Sequence, residues 1–333
     1  MITPFSYNSQ MIQKLTPSMT YTGKDFLTWR SNARQKLTEL LGLDTFVKAN
    51  PLTEIEFERQ LPNATEIRFT FQTEEGYRVP CHMLLPIGIK KPPVMICLQG
   101  HSTGMHISLG RALYSGDDKL ICDGDRDFCV RAVAEGFAAI AMEQRNFGEC
   151  GGTEEGPKCL EASMTALMMG RTTIGCRVWD ICRLIDLLET EFSHLIDKTK
   201  ICCMGNSGGG TATAYAAALE DRICLAMPSC AMCSWNESIA ARRHCCCNYV
   251  PNIAKYFDMG DLMAMACPKY FIQVSGINDG GFRIAGAESV FQAGKKAYLD
   301  QQAADKCMLI RGDGGHRFYA DDAWPVVHKM LNI

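Results

Sequence analysis

Two kinds of hydrophobic pattern alternate along the chain. Short continuous apolar runs, typical of strands buried on both faces, occur at residues 93–98, 137–142, 200–204, 223–227, 270–275 and 306–310. Between them lie stretches whose apolar residues recur at helical spacing, near residues 127–134, 176–192 and 285–298 and from 323 onwards. This alternation predicts an α/β fold with a mostly parallel central sheet and helices on both of its faces.

The segment before the first buried run has the pattern of a hairpin. Residues 66–72 and 77–85 alternate in the manner of two strands, and the turn 73–76 separates them. We therefore predict an N-terminal antiparallel hairpin at one edge of the sheet.

The start of the chain predicts a helix. A sequence resembling a capping box begins at Thr22 and precedes an amphipathic stretch that Gly42 ends. This segment is too short for an independent domain. We expect residues 1–60 to be a helical extension packed on the main body, and residues 61–333 to form the catalytic domain.

The stretch Gly205-Asn206-Ser207-Gly208-Gly209 matches the pattern G-x-S-x-G. It lies between the apolar run 200–204 and an alanine-rich stretch, 211–220, that favours a helix. In a nucleophile elbow of this kind, a sharp strand-to-helix turn exposes the serine hydroxyl, and flanking glycines avoid collisions of Cβ atoms. The pattern also occurs in ordinary turns, so its interpretation depends on partner residues.

A serine hydroxyl needs a base to take its proton and an acid to orient that base. Asp279 follows the predicted strand 270–275, and His316 follows the predicted strand 306–310. Because the carboxyl ends of parallel strands share one edge of a sheet, both side chains can reach Ser207. The sequence predicts a catalytic triad of Ser207, Asp279 and His316, in the chain order that the α/β-hydrolase fold uses.

A serine hydrolase also needs two backbone N–H groups aimed at the developing oxyanion. Gly208, directly after the predicted nucleophile, supplies one. The other is expected from the loop after the first central strand, Gln99-Gly100-His101, and we assign it to His101.

The charge balance excludes some classes of partner. The 333 residues carry a formal net charge of -3 with acidic and basic side chains interspersed, which disfavours binding of nucleic acid or an anionic membrane. The N-terminus lacks the pattern of a secretion signal, and no stretch approaches the ~20 apolar residues of a membrane span. We expect a cytoplasmic enzyme that acts on a small molecule, and a homo-oligomer stays open.

Cysteine is abundant, with 18 residues, but its spacing matches neither a secreted disulfide scaffold nor a C-x-x-C ladder. The stretch His244-Cys245-Cys246-Cys247 invites a metal interpretation. Consecutive residues rarely bind one tetrahedral ion together, and spaced partners are lacking nearby in the sequence. We therefore expect no metal ion at this stretch. A non-enzymatic thiol- or metal-binding protein on the same fold is the most distant alternative, supported only by the cysteine count.

Further motifs resemble the α/β-hydrolase superfamily, specifically its acetylxylan esterase-like branch near the dienelactone hydrolases and the prolyl oligopeptidase-type catalytic domains. These motifs span almost the whole chain and lie at residues 29–30, 99–101, 143–148, 177–180, 248–252 and 314–318. The resemblance implies hydrolysis of carboxylic esters through an acyl-enzyme, without metal or organic cofactor.

Two departures refine this resemblance. Dienelactone hydrolases would carry cysteine at the nucleophile position, where this chain has Ser207. The similar peptidases carry a large N-terminal propeller, for which about 60 residues leave no room. The sequence therefore favours an acetyl esterase-like serine carboxylester hydrolase, with a small-peptide or amide hydrolase of the same fold as the alternative.

Loops beside the predicted catalytic residues supply candidates for substrate contact. The segment 234–257 lies between two predicted strands on the catalytic side and is expected to cover the site like a lid. The candidate side chains are Trp235, Tyr249 and Phe257 in this segment, with Phe282, Arg283 and Phe318 next to the catalytic loops.

Overall fold

A nine-stranded sheet forms the centre of the computed structural model, which describes residues 2–333. Met1, the first residue of the predicted N-terminal extension, lies outside the described residues. The strands are β1 (Glu54–Gln60), β2 (Ala64–Glu74), β3 (Tyr77–Pro86), β4 (Pro93–Leu98), β5 (Ala138–Met142), β6 (Asp197–Asn206), β7 (Ile223–Ser229), β8 (Tyr270–Gly276) and β9 (Cys307–Gly312).

The strand order is β1-β2-β3-β5-β4-β6-β7-β8-β9. The first three pairs in this order are antiparallel, and the remaining five are parallel. The carboxyl ends of β4, β6, β7, β8 and β9 therefore meet at one edge of the sheet, where ligand-binding loops of open α/β sheets lie.

The α-helices connect the strands and flank the sheet. They are α1 (Pro4–Gln13), α2 (Phe26–Leu41), α3 (Asp117–Cys122), α4 (Phe128–Ala134), α5 (Leu160–Met168), α6 (Thr173–Thr190), α7 (Gly208–Leu219), α8 (Ile253–Tyr256), α9 (Met259–Ala266), α10 (Ile284–Asp300) and α11 (Ala320–Leu331). None of the helices in residues 2–333 has the length and apolar character needed to cross a membrane.

Both faces of the sheet are covered by hydrophobic packing. Side chains of α2, α6, α7, α9 and α10 pack with Val94 and Ile96 on one face. Side chains of α4 and α11 pack with Met95 and Cys97 on the other face. Because successive strand residues point to opposite faces, burial of both faces requires the continuous apolar runs seen in the sequence. The predicted α/β architecture is confirmed.

The structure differs from the prediction at the edge of the sheet. The predicted hairpin is present as β2 and β3, but β1 pairs with β2 and forms the edge instead. Every residue of β1 is exposed, and its sequence is mostly polar, so no buried face marks it in the sequence. The predicted helical extension thus also contributes a strand.

The start of α2 also differs from the prediction. Asp25, not Thr22, caps the helix, and its carboxylate accepts a hydrogen bond from the N–H of Thr28 at 3.3 Å. Gly42 ends the helix with a φ of 72°, in the left-handed region that glycine adopts without strain. The predicted end of α2 is confirmed.

The N-terminal segment is attached to the main body through α9. Asp261 accepts hydrogen bonds from the N–H of Tyr21 at 3.0 Å and the hydroxyl of Thr20 at 3.2 Å. It also accepts one from the N–H of Asp258 at 2.9 Å, which forms a capping box at the start of α9. One buried carboxylate therefore accepts hydrogen bonds from both the N-terminal segment and the main body. The predicted domain division at residue 60 stays a prediction.

Replacing Asp261 with alanine should destabilise the fold, because three donors lose a buried acceptor. We expect Asp261→Ala to lower the free energy of unfolding by about 2 to 4 kcal/mol, measured by denaturant titration at pH 8. The matched control is Asp44→Ala at an exposed position, where a change within about 0.5 kcal/mol is expected. Equal stabilities of the two variants would contradict the anchoring role of Asp261.

Candidate active site

Ser207 joins the last residue of β6 to the first residue of α7. Its backbone has φ 54° and ψ -119°, a conformation that residues with a Cβ rarely adopt. The N–H of Ser207 donates to the carbonyl oxygen of Ser229, the last residue of β7, at 2.8 Å. This strained turn between a strand and a helix is the geometry of a nucleophile elbow.

Two glycines allow the backbone to pack tightly around this turn. A Cβ on Gly205 would lie 2.7 Å from the carbonyl oxygen of Leu98 at the end of β4. A Cβ on Gly100 would lie 2.9 Å from the Cβ of Ser207. Only glycine fits at such distances, so the loop after β4 lies directly against the elbow.

Asp279 and His316 form a hydrogen-bonded pair on the loops after β8 and β9. The Nδ1–H of His316 donates to Oδ2 of Asp279 at 2.7 Å. The other carboxylate oxygen accepts from the N–H groups of Gly281 at 2.6 Å and Phe282 at 3.1 Å. Burial alone would raise the pKa of Asp279, but these hydrogen bonds, led by the one from His316, hold it below its usual value. Asp279 is therefore ionised at neutral pH.

Ser207, Asp279 and His316 line one cleft of about 470 Å³. The ring of Phe282 stacks on the ring of His316, with centroids 5.8 Å apart and planes 19° apart. The edge of His244 packs against Phe282, with centroids 5.6 Å apart. These contacts restrain the orientation of His316. The other lining residues are His101, Arg242, Arg243, Cys245, Gly280 and Gly281.

The two residues predicted for the oxyanion hole are neighbours in space. Gly208 begins α7, and a Cβ at its position would lie 2.9 Å from Nδ1 of His101. The His101 ring packs on Phe147, with centroids 5.1 Å apart, and its Nε2 lies 3.1 Å from Sγ of Cys247. Burial, assisted by the charge of Arg177, lowers the pKa of His101 to about 3, so its ring is neutral at physiological pH.

Of the six side chains predicted to contact substrate, Phe282 lines the cleft. Phe257 is fully buried in the core, where its carbonyl oxygen accepts the indole N–H of Trp235 at 2.7 Å. Phe318 is also in the core, against Phe128. These side chains anchor their loops to the core, because burial of large apolar side chains stabilises the fold.

The remaining three predicted substrate contacts also lie outside the cleft. Tyr249 lines a separate apolar cavity of about 250 Å³, together with Trp235. Arg283 is exposed and forms an ion pair with Glu237 at 3.3 Å. Within the segment 234–257, the part that reaches the cleft is residues 242–245.

A buried carboxylate beneath these loops was missed by sequence reasoning. Glu143 follows β5 and is 2 % exposed. Its Oε2 accepts from the N–H groups of Met105 at 3.1 Å and Glu149 at 3.3 Å. Burial raises the pKa of Glu143 to about 7. The group therefore joins the loop that carries His101 to the loop after β5. Its sequence signals were its position directly after an apolar run and its place in the motif at residues 143–148, neither of which indicated this role.

Two groups of side chains bring potential metal ligands together. One is Cys230, Asp279 and His316, in which the last two are already paired with each other. The other is His101, Cys159, Cys245 and Cys247. Sequence reasoning considered only partners close along the chain, whereas Cys159 and His101 come from distant segments. Nothing in residues 2–333 tests the expectation that the chain binds no metal, and the second group gives a reason to revise it.

Comparison with known proteins identifies the class to which this fold and site belong. The sequence model of the abhydrolase family, described as "Abhydrolase family", matches residues 2–298. The chain belongs to this family and has the α/β-hydrolase fold. It is also 24% identical over 294 residues to "Putative hydrolase YtaP" of Bacillus subtilis (strain 168), an alignment that covers 86% of this chain and 94% of that protein.

Solved structures agree with this fold. The structure of a "putative acetyl xylan esterase" from Bacteroides fragilis NCTC 9343 superposes with a TM-score of 0.77 at 17% identity, covering 94% of this chain and 83% of the other. A glucuronoyl esterase from Solibacter usitatus superposes with a TM-score of 0.65 at 15% identity, covering 90% of this chain and 91% of the other. At such identities, the likeness concerns the fold.

The raised pKa of Glu143 predicts a pH-dependent stability difference. The folded protein keeps this proton up to about pH 7, whereas the unfolded chain releases it near the usual glutamate pKa of 4.5. The contribution of protonated Glu143 to the stability of the fold is therefore complete below pH 4.5 and is lost as the pH rises through 7. Glu143→Gln keeps an oxygen acceptor but never ionises, so the native protein should lose stability relative to this variant as the pH rises from about 5 to about 8.

Denaturant titrations of both proteins at several pH values measure this difference. The control is Glu154→Gln, a substitution at an exposed site, whose stability difference from the native protein should not change with pH. A constant difference between the native protein and Glu143→Gln would show that Glu143 ionises normally in the fold.

Proposed function

We propose that the protein is a serine carboxylester hydrolase that acts through an acyl-enzyme. The observation that carries the proposal is the hydrogen bond of 2.7 Å between His316 and Asp279, in the cleft that the strained Ser207 also lines. A nucleophile, a base and an acid that orients the base make up the machinery of serine hydrolases.

The proposed reaction begins when Oγ of Ser207 attacks the ester carbonyl while Nε2 of His316 takes the hydroxyl proton. Nδ1 of His316 stays hydrogen-bonded to Asp279, whose charge stabilises the imidazolium. The tetrahedral intermediate expels the alcohol, which receives the proton from Nε2, and Ser207 is left acylated. Water then attacks the acyl group with the same base, releasing the carboxylic acid and restoring Ser207.

The oxyanion of each tetrahedral intermediate is proposed to accept hydrogen bonds from the backbone N–H groups of Gly208 and His101. Two features support this role: Gly208 begins α7, and Gly100 lies against Ser207. Amides at the start of a helix favour negative charge, which adds to the direct hydrogen bonds.

The comparisons support an ester as the substrate. The named activities of the compared proteins are hydrolase, acetyl xylan esterase and glucuronoyl esterase. Together with the triad geometry, these names favour an acetyl esterase-like enzyme that cleaves a small ester. Hydrolysis of small peptides or amides needs the same groups, so a direct comparison of substrates decides between them.

The charge of the cleft favours substrates that carry a carboxylate. Arg242 and Arg243 line the cleft, where the only carboxylate is Asp279, already bonded to His316. Arg242 donates to the carbonyl oxygen of Gly280, so its charge is not neutralised by that contact. We therefore propose that an anionic group on the acid or alcohol part of the ester lies near these guanidinium groups.

Removal of the nucleophile tests the mechanism. Ser207→Ala should lower kcat for short-chain nitrophenyl esters by roughly 10⁴-fold or more, and a fluorophosphonate should label native Ser207 but not the variant. The control Ser115→Ala, at an exposed position, should keep native turnover and labelling. Full turnover by Ser207→Ala would refute the proposal, and faster cleavage of a matched amide than of the ester would favour the alternative.

Removal of one cleft arginine tests the substrate charge. Arg243→Gln should raise KM for an ester that carries a carboxylate roughly three- to fivefold, and should leave KM for a matched neutral ester unchanged. Arg283→Gln is the control, because Arg283 is equally charged but does not line the cleft. The same effect on both esters, or an equal effect of Arg283→Gln, would refute the preference for anions.

A further inference from the structure

Four side chains of metal-ligating type meet beside the cleft. His101 follows β4, Cys159 precedes α5, and Cys245 and Cys247 lie between β7 and β8. Their potential ligand atoms all lie within 4.8 Å of one another. Nε2 of His101 is 3.1 Å from Sγ of Cys247, and that sulfur is 3.3 Å from Sγ of Cys245. Three thiols and one imidazole are a ligand set of structural zinc sites.

The spacing of these atoms suits a tetrahedral ion. With Zn–S bonds of about 2.3 Å and Zn–N bonds of about 2.0 Å, a nitrogen and a sulfur at two corners of a tetrahedron are about 3.5 Å apart, and two sulfurs are about 3.8 Å apart. The observed separations of 3.1 Å and 3.3 Å are slightly shorter than these values, and the 4.8 Å limit exceeds them by about 1 Å. Rotation of a cysteine side chain about χ1 is sufficient to cover that difference.

A buried positive charge next to the cluster independently indicates negative charge there. Arg177 is 0 % exposed. Its guanidinium lies 3.6 Å from Sγ of Cys247 and 3.9 Å from Sγ of Cys159, and over the ring of Phe147 at 4.3 Å. Its one oxygen partner is the carbonyl of Arg145 at 3.0 Å, and no carboxylate of residues 2–333 pairs with it.

An unpaired cation at such a depth is costly, so the thiols are the groups available to balance it. Three thiolates and a neutral imidazole around a divalent ion carry one net negative charge. The guanidinium of Arg177 cancels that charge. The zinc site and Arg177 together are then neutral. With three protonated thiols and no ion, the buried guanidinium would keep its uncompensated positive charge.

We propose that His101, Cys159, Cys245 and Cys247 bind one zinc ion. The ion would displace the three thiol protons, which pass to solvent. Cys159 and Cys247 form the buried side of the site, and Cys245 and His101, which also line the cleft, form the side from which the ion enters. Since the protein fills all four positions, the site is structural and leaves no place for a reactive water.

Bound zinc would connect the cleft wall to the elbow. It would hold the segment with Cys245 and Cys247 against the loop of His101 and the start of α5. Coordination through Nε2 leaves the ring proton of His101 on Nδ1, which faces Gly208. The ion would thus fix both the position and the tautomer of a residue whose backbone N–H we assign to the oxyanion hole.

Metal content of the full chain tests the proposal without reference to activity. Protein produced with zinc supplementation and dialysed without chelator should contain about one zinc ion per chain by mass spectrometry of metals. Cys247→Ser and Cys159→Ser should contain below roughly 0.2 ion per chain. The matched control is Cys246→Ser, which removes the neighbouring thiol that is outside the cluster and should keep about one ion.

Cobalt(II) provides a second readout for the native chain, in case a cysteine variant folds poorly. Protein stripped of metal and given one equivalent of cobalt(II) should develop the visible bands of tetrahedral coordination and a near-ultraviolet thiolate charge-transfer band. Cys246→Ser should show the same spectrum. Native protein that binds neither metal, or a disulfide among Cys159, Cys245 and Cys247 in protein kept free of oxidants, would overturn the proposal. Fluorophosphonate labelling of Ser207 is measured separately, so failure of the zinc site is distinct from failure of the proposed function.

Discussion

The turn at Ser207 depends on the strands that hold it on both sides. In the sheet, Leu98 of β4 pairs with Gly205, and Asn206 pairs with Ser229 of β7, so three parallel strands end at the same level. Hydrogen bonding in these ladders compensates for a serine backbone that would otherwise relax out of the left-handed region. The same register brings the loops after β4, β8 and β9 to the elbow. The arrangement of the cleft is therefore a consequence of sheet topology more than of any contact between side chains.

The sequence predicted those features that depend on the order of elements. Continuous apolar runs identified the buried strands, and once the strands are parallel, Asp279 and His316 must follow them at the same edge as Ser207. Features that depend on contacts between distant parts of the chain could not be predicted from the sequence. The edge strand β1 has no buried face that a hydrophobic pattern could reveal. An aromatic residue such as Phe257 or Phe318 looks the same in the sequence whether it contacts a ligand or packs in the core. Cys159 joins Cys247 only after folding.

Buried ionisable groups are concentrated beneath the loops of the cleft. Glu143 and Arg177 are almost inaccessible to solvent, and each makes its hydrogen bonds to backbone or sulfur groups of those loops. Besides apolar side chains such as Phe257 and Phe318, two polar groups fix these loops: Glu143, directly after β5, and Arg177 of α6. Nε of Arg177 is buried without a hydrogen-bond partner among the described residues, so this support is only partly satisfied. The positions of the loops around the cleft therefore depend on whether Glu143 is protonated.

The cleft wall at residues 242–245 belongs to the connection between β7 and β8, whereas the elbow and the His316 and Asp279 loops follow directly from strand ends. Under the proposed function, the residues that break the bond and the residues that would contact the substrate are therefore encoded in separate stretches of the gene. Substitutions in residues 242–245 would then change the proposed recognition surface while leaving the elbow and the loops after β8 and β9 in place. On that proposal, substrate range would be set by a connection between strands, and bond cleavage by the strand ends themselves.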